Sequence, residues 1–159
     1  MKTKTCCFTG HRIIRSALSE RLQKETEQTI LDLIKQGYLY FLTGGAQGYD
    51  TLAALAVLKI KEQHPTIQLI LALPYPAQAN NWPAEDRRIY EEIKEKADHI
   101  LYISEHYFTG CMHKRNRYLV DHSSICIAYL TENRGGTFYT ANYANTSQIP
   151  VINIATVLQ

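Results

Sequence analysis

No apolar run in this sequence reaches the ~20 residues that a membrane-spanning helix requires. Its first residues also lack the succession of charged, apolar and small residues that marks a secretory signal. A soluble, cytoplasmic protein is expected, with no membrane partner. Cysteine is sparse: Cys6, Cys7, Cys111 and Cys126 form no C-x-x-C pair and no Cys/His spacing of a metal-binding kind. No metal site is expected, and Cys6 and Cys126, inside apolar runs, read as buried reduced thiols. A charge surplus is missing too. Lys and Arg number 17 against 15 Asp and Glu, a formal net charge of +2, which disfavours nucleic acid as a partner for the bulk surface. Any basic site has to come from local clustering. Repeats, low-complexity tracts and linkers are absent, so residues 1–159 read as one domain, and 45% apolar content is ample for its core. The 11 tyrosines are many for this length, and some are candidates to face a ligand.

What is present is a regular alternation of strand and helix. Thr5–Phe8 reads as a first strand, and Ser16–Gln36 as an amphipathic helix with Leu18, Leu22, Ile30 and Ile34 at helical spacing and Gly37 as its stop. Tyr38–Leu42 is a second strand, followed by a helix from Thr51 that is apolar on nearly every side. Ile67–Leu73 is a third strand, closed by Pro74, and Pro83 opens a helix lined by Ile89, Tyr90, Ile93 and Ala97. His99–Ile103, a short helix over Arg115–His122, the strand Ile125–Leu130, a helix from Gly135 and the strand Val151–Ile154 complete the chain. Near-continuous apolar strands in this alternation predict an α/β fold: a doubly wound, mainly parallel sheet of about six strands with helices on both faces. The predicted strand order is 3-2-1-4-5-6.

In such sheets ligands sit beyond the carboxyl ends of the strands, where the strand order reverses. Three of those ends carry glycine: Thr9-Gly10-His11-Arg12, then Thr43-Gly44-Gly45-Ala46-Gln47-Gly48-Tyr49-Asp50, then Arg134-Gly135-Gly136-Thr137. A glycine turn leading into a helix offers unpaired N–H groups at the positive helix end, and no Cβ obstructs an approaching phosphate. The second turn is not a Walker loop, because no Gly-Lys-Ser/Thr follows, and Thr43 stands where G-x-G-x-x-G has its first glycine. Taken alone it serves equally well as a tight packing turn. Convergence of three such ends favours a nucleotide-sized phosphate site.

Arg12 and Arg134 flank two of the turns and suit bidentate phosphate contacts, and a surface loop role suits each as well. Asp50, in the first helical turn, stabilises the helix end or accepts hydrogen bonds from ribose hydroxyls. Arg115 and Arg117 belong to the basic run Lys114-Arg115-Asn116-Arg117, whose position after strand four favours the ligand side over a solvated face. His11 reads as a polar cap before an acid–base group. Trp82 and Tyr107 suit base stacking or a lid packed on itself. Asp121 has no evident carboxylate partner, so a glycosidase pair is unsupported. A nicotinamide-dependent dehydrogenase is disfavoured, since Leu73-Pro74 stands where an acidic ribose ligand belongs.

These motifs, with Pro74, Gln78, Trp82, Ala97-Asp98, Gly110-Cys111-Met112, Arg115-Asn116-Arg117-Tyr118, Asp121, Thr140 and Tyr143-Ala144, resemble the YpsA-like family of the SLOG superfamily over essentially the whole chain. The resemblance implies a Rossmann-like domain akin to those of DprA/Smf and the LOG phosphoribohydrolases, and a pocket for a nucleotide-derived ligand. It implies no particular reaction. Ile13 replaces the proline common after His-Arg. The LOG signature P-G-G-x-G-T-x-x-E loses its proline and glutamate here, which argues against that hydrolase activity. The expected protein binds a nucleotide or an ADP-ribose-type ligand as a sensor or regulator, with no catalytic residue assigned. Its expected ligand-binding residues are Thr9, Gly10, His11 and Arg12; Thr43, Gly44, Gly45, Gly48 and Asp50; Arg115 and Arg117; and Arg134, Gly135, Gly136 and Thr137. The alternatives are an N-glycosidic or phosphoribosyl hydrolase using Asp50 or Asp121, and DprA-like single-stranded nucleic-acid binding. Homo-oligomerisation stays open.

Overall fold

Adjacent residues of a strand point to opposite faces of its sheet, and in this chain both sets are apolar. Cys6, Phe8, Phe41, Leu69, Leu71 and Ile127 enter one core; Cys7, Leu42, Ala72 and Cys126 enter another. A sheet with two apolar faces needs helices on both. The computed structural model describes residues 1–158 and supplies them. The elements are β1 (Thr5–Gly10), α1 (Ser16–Lys35), β2 (Tyr40–Thr43), α2 (Tyr49–Lys61), β3 (Gln68–Leu73) and α3 (Ala84–Lys96). They continue with β4 (His99–Tyr102), α4 (Cys111–Asp121), β5 (Ile125–Tyr129), α5 (Gly135–Thr146) and β6 (Val151–Asn153). Every strand pair is parallel. Among the described residues no helix is long and apolar enough to cross a membrane.

The sheet runs β4-β3-β2-β1-β5-β6, a Rossmann-like arrangement that differs from the predicted order in one placement. β4 lies outside β3 instead of beside β1. Its residues His99, Ile100 and Tyr102 are exposed, which suits an edge; a strand beside β1 would be covered on both faces. The move matters for the helices. Successive right-handed crossovers from β1 to β4 lay α1, α2 and α3 on one face, where Leu22, Ile30, Val57, Tyr90 and Ile93 join the first core. The chain then returns over the sheet, and α4 and α5 cover the second face through Leu119, Val120 and Ala144. Neighbouring strands β1 and β5 therefore send their chains to opposite faces. A crevice opens between their carboxyl ends.

Two local features shape that crevice. Tyr49, at the start of α2, is fully buried, and its hydroxyl lies 2.9 Å from Thr26 Oγ1 of α1. Burial pushes its phenol above the ordinary value, so it stays neutral. Its ring occupies the space that a Cβ on Gly10 would need. Second, α4 starts at Cys111, one turn before the predicted Arg115. Gly110, with φ 94°, makes the turn into it. Cys111, Arg115 and Leu119 then recur every fourth residue on the buried side.

Candidate functional site

At the carboxyl ends of β1 and β5 lies a cavity of about 360 Å³. Thr9, Gly10, His11 and Arg12 line it from the end of β1. Ala46 and Asp50 come from the β2–α2 turn, and Gly136 and Thr137 from the first turn of α5. α4 adds Met112, His113, Arg115 and Asn116. Three glycine-bearing strand ends thus meet one another, as the sequence pattern predicts, and a helix joins them.

Arg115 is the central cation, only 4% exposed. One of its terminal nitrogens donates to the Gly44 carbonyl, and Nε donates to Asn116 Oδ1 at 2.8 Å. The bond to Oδ1 leaves the Asn116 amide nitrogen as a donor on the side of Gly136. Asp50, 6% exposed, accepts a hydrogen bond from the Ala46 N–H at 3.0 Å. Burial raises the pKa of Asp50, while Arg115, the Ala46 N–H and Arg12 pull it down. Burial likewise lowers the pKa of Arg115, and Asp50 opposes that shift. Each charge is thus drawn toward neutrality by desolvation and held by the other.

The remaining wall is rich in unspent hydrogen-bonding groups. α5 begins after Arg134, whose side chain caps nothing, so its first N–H groups point outward unpaired. Thr9 and Thr137 are 7% and 8% exposed, and neither hydroxyl has a partner among the described residues. His11 Nε2 accepts from the Thr131 N–H at 2.9 Å, which puts the ring proton on Nδ1.

Other expected site residues lie behind or beside the cavity. Gly44 backs Arg115, and a Cβ there would strike the guanidinium. Gly45, with φ 68°, turns toward the Leu73 side chain and Tyr90. Gly48, with φ 76°, lies against the backbone of Arg12. Thr43 is fully buried, and its hydroxyl has no partner among the described residues. Arg117 donates to the Tyr139 hydroxyl at 3.0 Å. Arg134 is exposed and 3.6 Å from Glu132, and Gly135, with φ 89°, is exposed. Asp121, at the far end of α4, accepts from the Tyr143 hydroxyl at 2.7 Å. Trp82 packs on Tyr90 and Tyr107 on Tyr75, with ring centroids 5.0 Å and 5.7 Å apart. Met112 and His113 went unassigned because α4 begins a turn early, and Gly110 with the four-residue spacing from Cys111 is the signal that locates them; Asn116, inside the predicted helix, was passed over beside its charged neighbours Arg115 and Arg117.

A family model described as the YspA SLOG family, YpsA, matches residues 9–156. A UPF0398 protein of Halalkalibacterium halodurans is 35% identical over 118 residues, 73% of this chain and 62% of that protein. The uncharacterised SPbeta prophage-derived protein YoqJ of Bacillus subtilis is 30% identical over 144 residues, 83% of this chain and 82% of YoqJ. Among solved structures, DNA processing protein A from Helicobacter pylori, described with its single-stranded DNA binding mode, superposes with a TM-score of 0.68. That likeness covers 94% of this chain and 64% of the other at 20% identity, and it shows a common fold. The chain spans less than two thirds of the length of the H. halodurans protein and of H. pylori DNA processing protein A. On the family-model match and the identity to YoqJ, the chain belongs to the YpsA family of SLOG proteins.

Proposed function

We propose that the protein binds a nucleotide or a nucleotide derivative of the ADP-ribose type and acts in the cytoplasm as a sensor or regulator. The observation that carries this reading is the cavity at the β1/β5 reversal, where Arg12, Arg115 and the start of α5 surround two unpartnered threonine hydroxyls. A phosphate there would accept from the α5 N–H groups, from Thr137 and from the arginines. Asp50, on the β2 side, would accept from ribose hydroxyls. The size lies within the range of small-molecule pockets. A thermal-shift screen with mononucleotides, dinucleotides and ADP-ribose tests it, since a ligand at 100 times its Kd stabilises by about 2.7 kcal/mol. No stabilisation by any of them at millimolar concentration would sink the reading.

A second reading, cleavage of an N-glycosidic or phosphoribosyl bond, has one observation in its favour. Asp50 lines the cavity, and burial raises its pKa as a general acid requires. Against it stand the missing signature glutamate and the distance of Asp121 from the cavity. Chromatographic release of free base from a nucleoside monophosphate at enzymatic rates would put this reading first.

A further inference from the structure

We infer that the protein has a second subsite, in the groove between α1, α2 and α3, and that its ligand is a pyrophosphate-linked nucleotide derivative with two halves. This rests on the reading of the cavity as a nucleotide site. The groove measures about 440 Å³ and adjoins the cavity, with Arg12 lining both. Arg12 is exposed and has no hydrogen-bond or ion-pair partner among the described residues. The partition between the two spaces is thin. The Tyr49 N–H donates to the His11 carbonyl at 3.0 Å, and the bare Cα of Gly48 lets the Arg12 backbone lie directly on the start of α2. A ligand leaving the cavity crosses a single ridge of backbone, and Arg12, which lines the space on either side, borders that crossing.

The chemistry of the groove is unlike that of the cavity. Leu52, Leu55 and Ile89 make an apolar floor, and Leu55 is 42% exposed although most of α2 is buried. The rim is polar: the Ser19 hydroxyl and the Gln23 amide have no partner among the described residues, and Gln47 donates to Asp86 at 2.9 Å. Apolar floor and hydrogen-bonding rim, with the Asp86 carboxylate as an acceptor, match a heteroaromatic ring or a sugar, which offers a flat or hydrophobic face and a polar edge. The cavity's buried cation and helix end match an anion. A ligand with a phosphate-bearing half and a second base or sugar uses both spaces, with its pyrophosphate under Arg12.

Isothermal titration of the purified protein with AMP and with ADP-ribose tests this, alongside Leu55→Glu and Gln23→Ala. Both substitutions fall at solvent-accessible positions of long helices, and circular dichroism checks that each variant folds. ADP-ribose should bind wild type at least about tenfold more tightly than AMP. Each variant should lose most of that advantage while AMP affinity stays within about twofold. Equal affinity of the two ligands for wild type, or an equal loss of both in the variants, overturns the second subsite and leaves the cavity reading standing. Binding of neither ligand overturns both.

Discussion

Arg115 is a cation the fold has withdrawn from water, and the residues around it are chosen accordingly. Gly44 is bare because a side chain there would occupy the guanidinium's place, and Asn116 turns its oxygen toward Nε. Asp50 supplies the counter-charge, and its raised pKa has a measurable sign. The folded state holds the Asp50 proton to higher pH than the unfolded chain does. Stability linked to this group is complete below the ordinary carboxylate pKa and is lost as pH rises through the raised native value. Asp50→Asn keeps an oxygen for the Ala46 N–H and removes the titration. Denaturation curves of both proteins from about pH 4 to 7 should show that decline in wild type only; parallel curves would mean Asp50 titrates alike folded and unfolded. Gly45 makes the opposite case. With φ 68° and the Leu73 side chain where its Cβ would be, Gly45→Ala should cost at least about 1–3 kcal/mol of stability and leave AMP affinity of the folded fraction within about twofold. A large affinity loss at unchanged melting temperature would instead put the phosphate at Gly45.

At the level of elements, α5 carries the sharper test. Its first turn faces the cavity, and the Cα of Gly136 has ordinary φ with open space around it, Asn116 Nδ2 being the nearest atom at 3.9 Å from the Cβ position. Gly136→Asp adds a carboxylate at the positive helix end, worth about 0.3–1 kcal/mol of stability. The same carboxylate occupies the proposed phosphate position. Melting temperature should rise while nucleotide affinity falls at least about tenfold; retained affinity would move the phosphate away from α5. Thr137→Val removes a hydroxyl with no partner among the described residues. It should therefore leave apo stability nearly unchanged and weaken AMP binding by several-fold, as loss of one hydrogen bond of about 1 kcal/mol does. Titration calorimetry beside thermal denaturation separates the two effects.

For the whole molecule, the choice lies between a small ligand and a polymer that shares its phosphate chemistry. The fold is shared with a DNA processing protein that binds single-stranded DNA, yet the net charge here is +2. Two arginines, Arg12 and Arg115, line the cavity and would meet a phosphate there. Engaging a single strand through them alone would give a salt slope of about −1.4 on logarithmic axes. Affinity for oligonucleotides should accordingly be weak and independent of length. A tight complex with a long single strand and a steep salt slope, measured by fluorescence anisotropy, would replace the small-ligand reading.

Much of this architecture was legible from the chain because its causes are local. Apolar strands bounded by glycine and proline, and the helical spacing of Leu18, Leu22, Ile30 and Ile34, are set within single segments of the chain, and they were enough for a parallel sheet with glycine-bearing strand ends. Gly10 and Gly136, expected at strand end and helix start, both line the cavity, because the end of a strand and the start of a helix are local events. The rest depends on partners far away in sequence. The edge position of β4 leaves His99, Ile100 and Tyr102 uncovered, which only the packing of the whole sheet decides. The early start of α4, which delivers Met112 and His113, goes with the burial of Cys111. Whether a glycine faces ligand or core cannot be read from its turn. Gly44, Gly45 and Gly48 share one motif, yet they meet Arg115, Leu73 and the Arg12 backbone, contacts that exist only once the sheet has closed and its helices have packed.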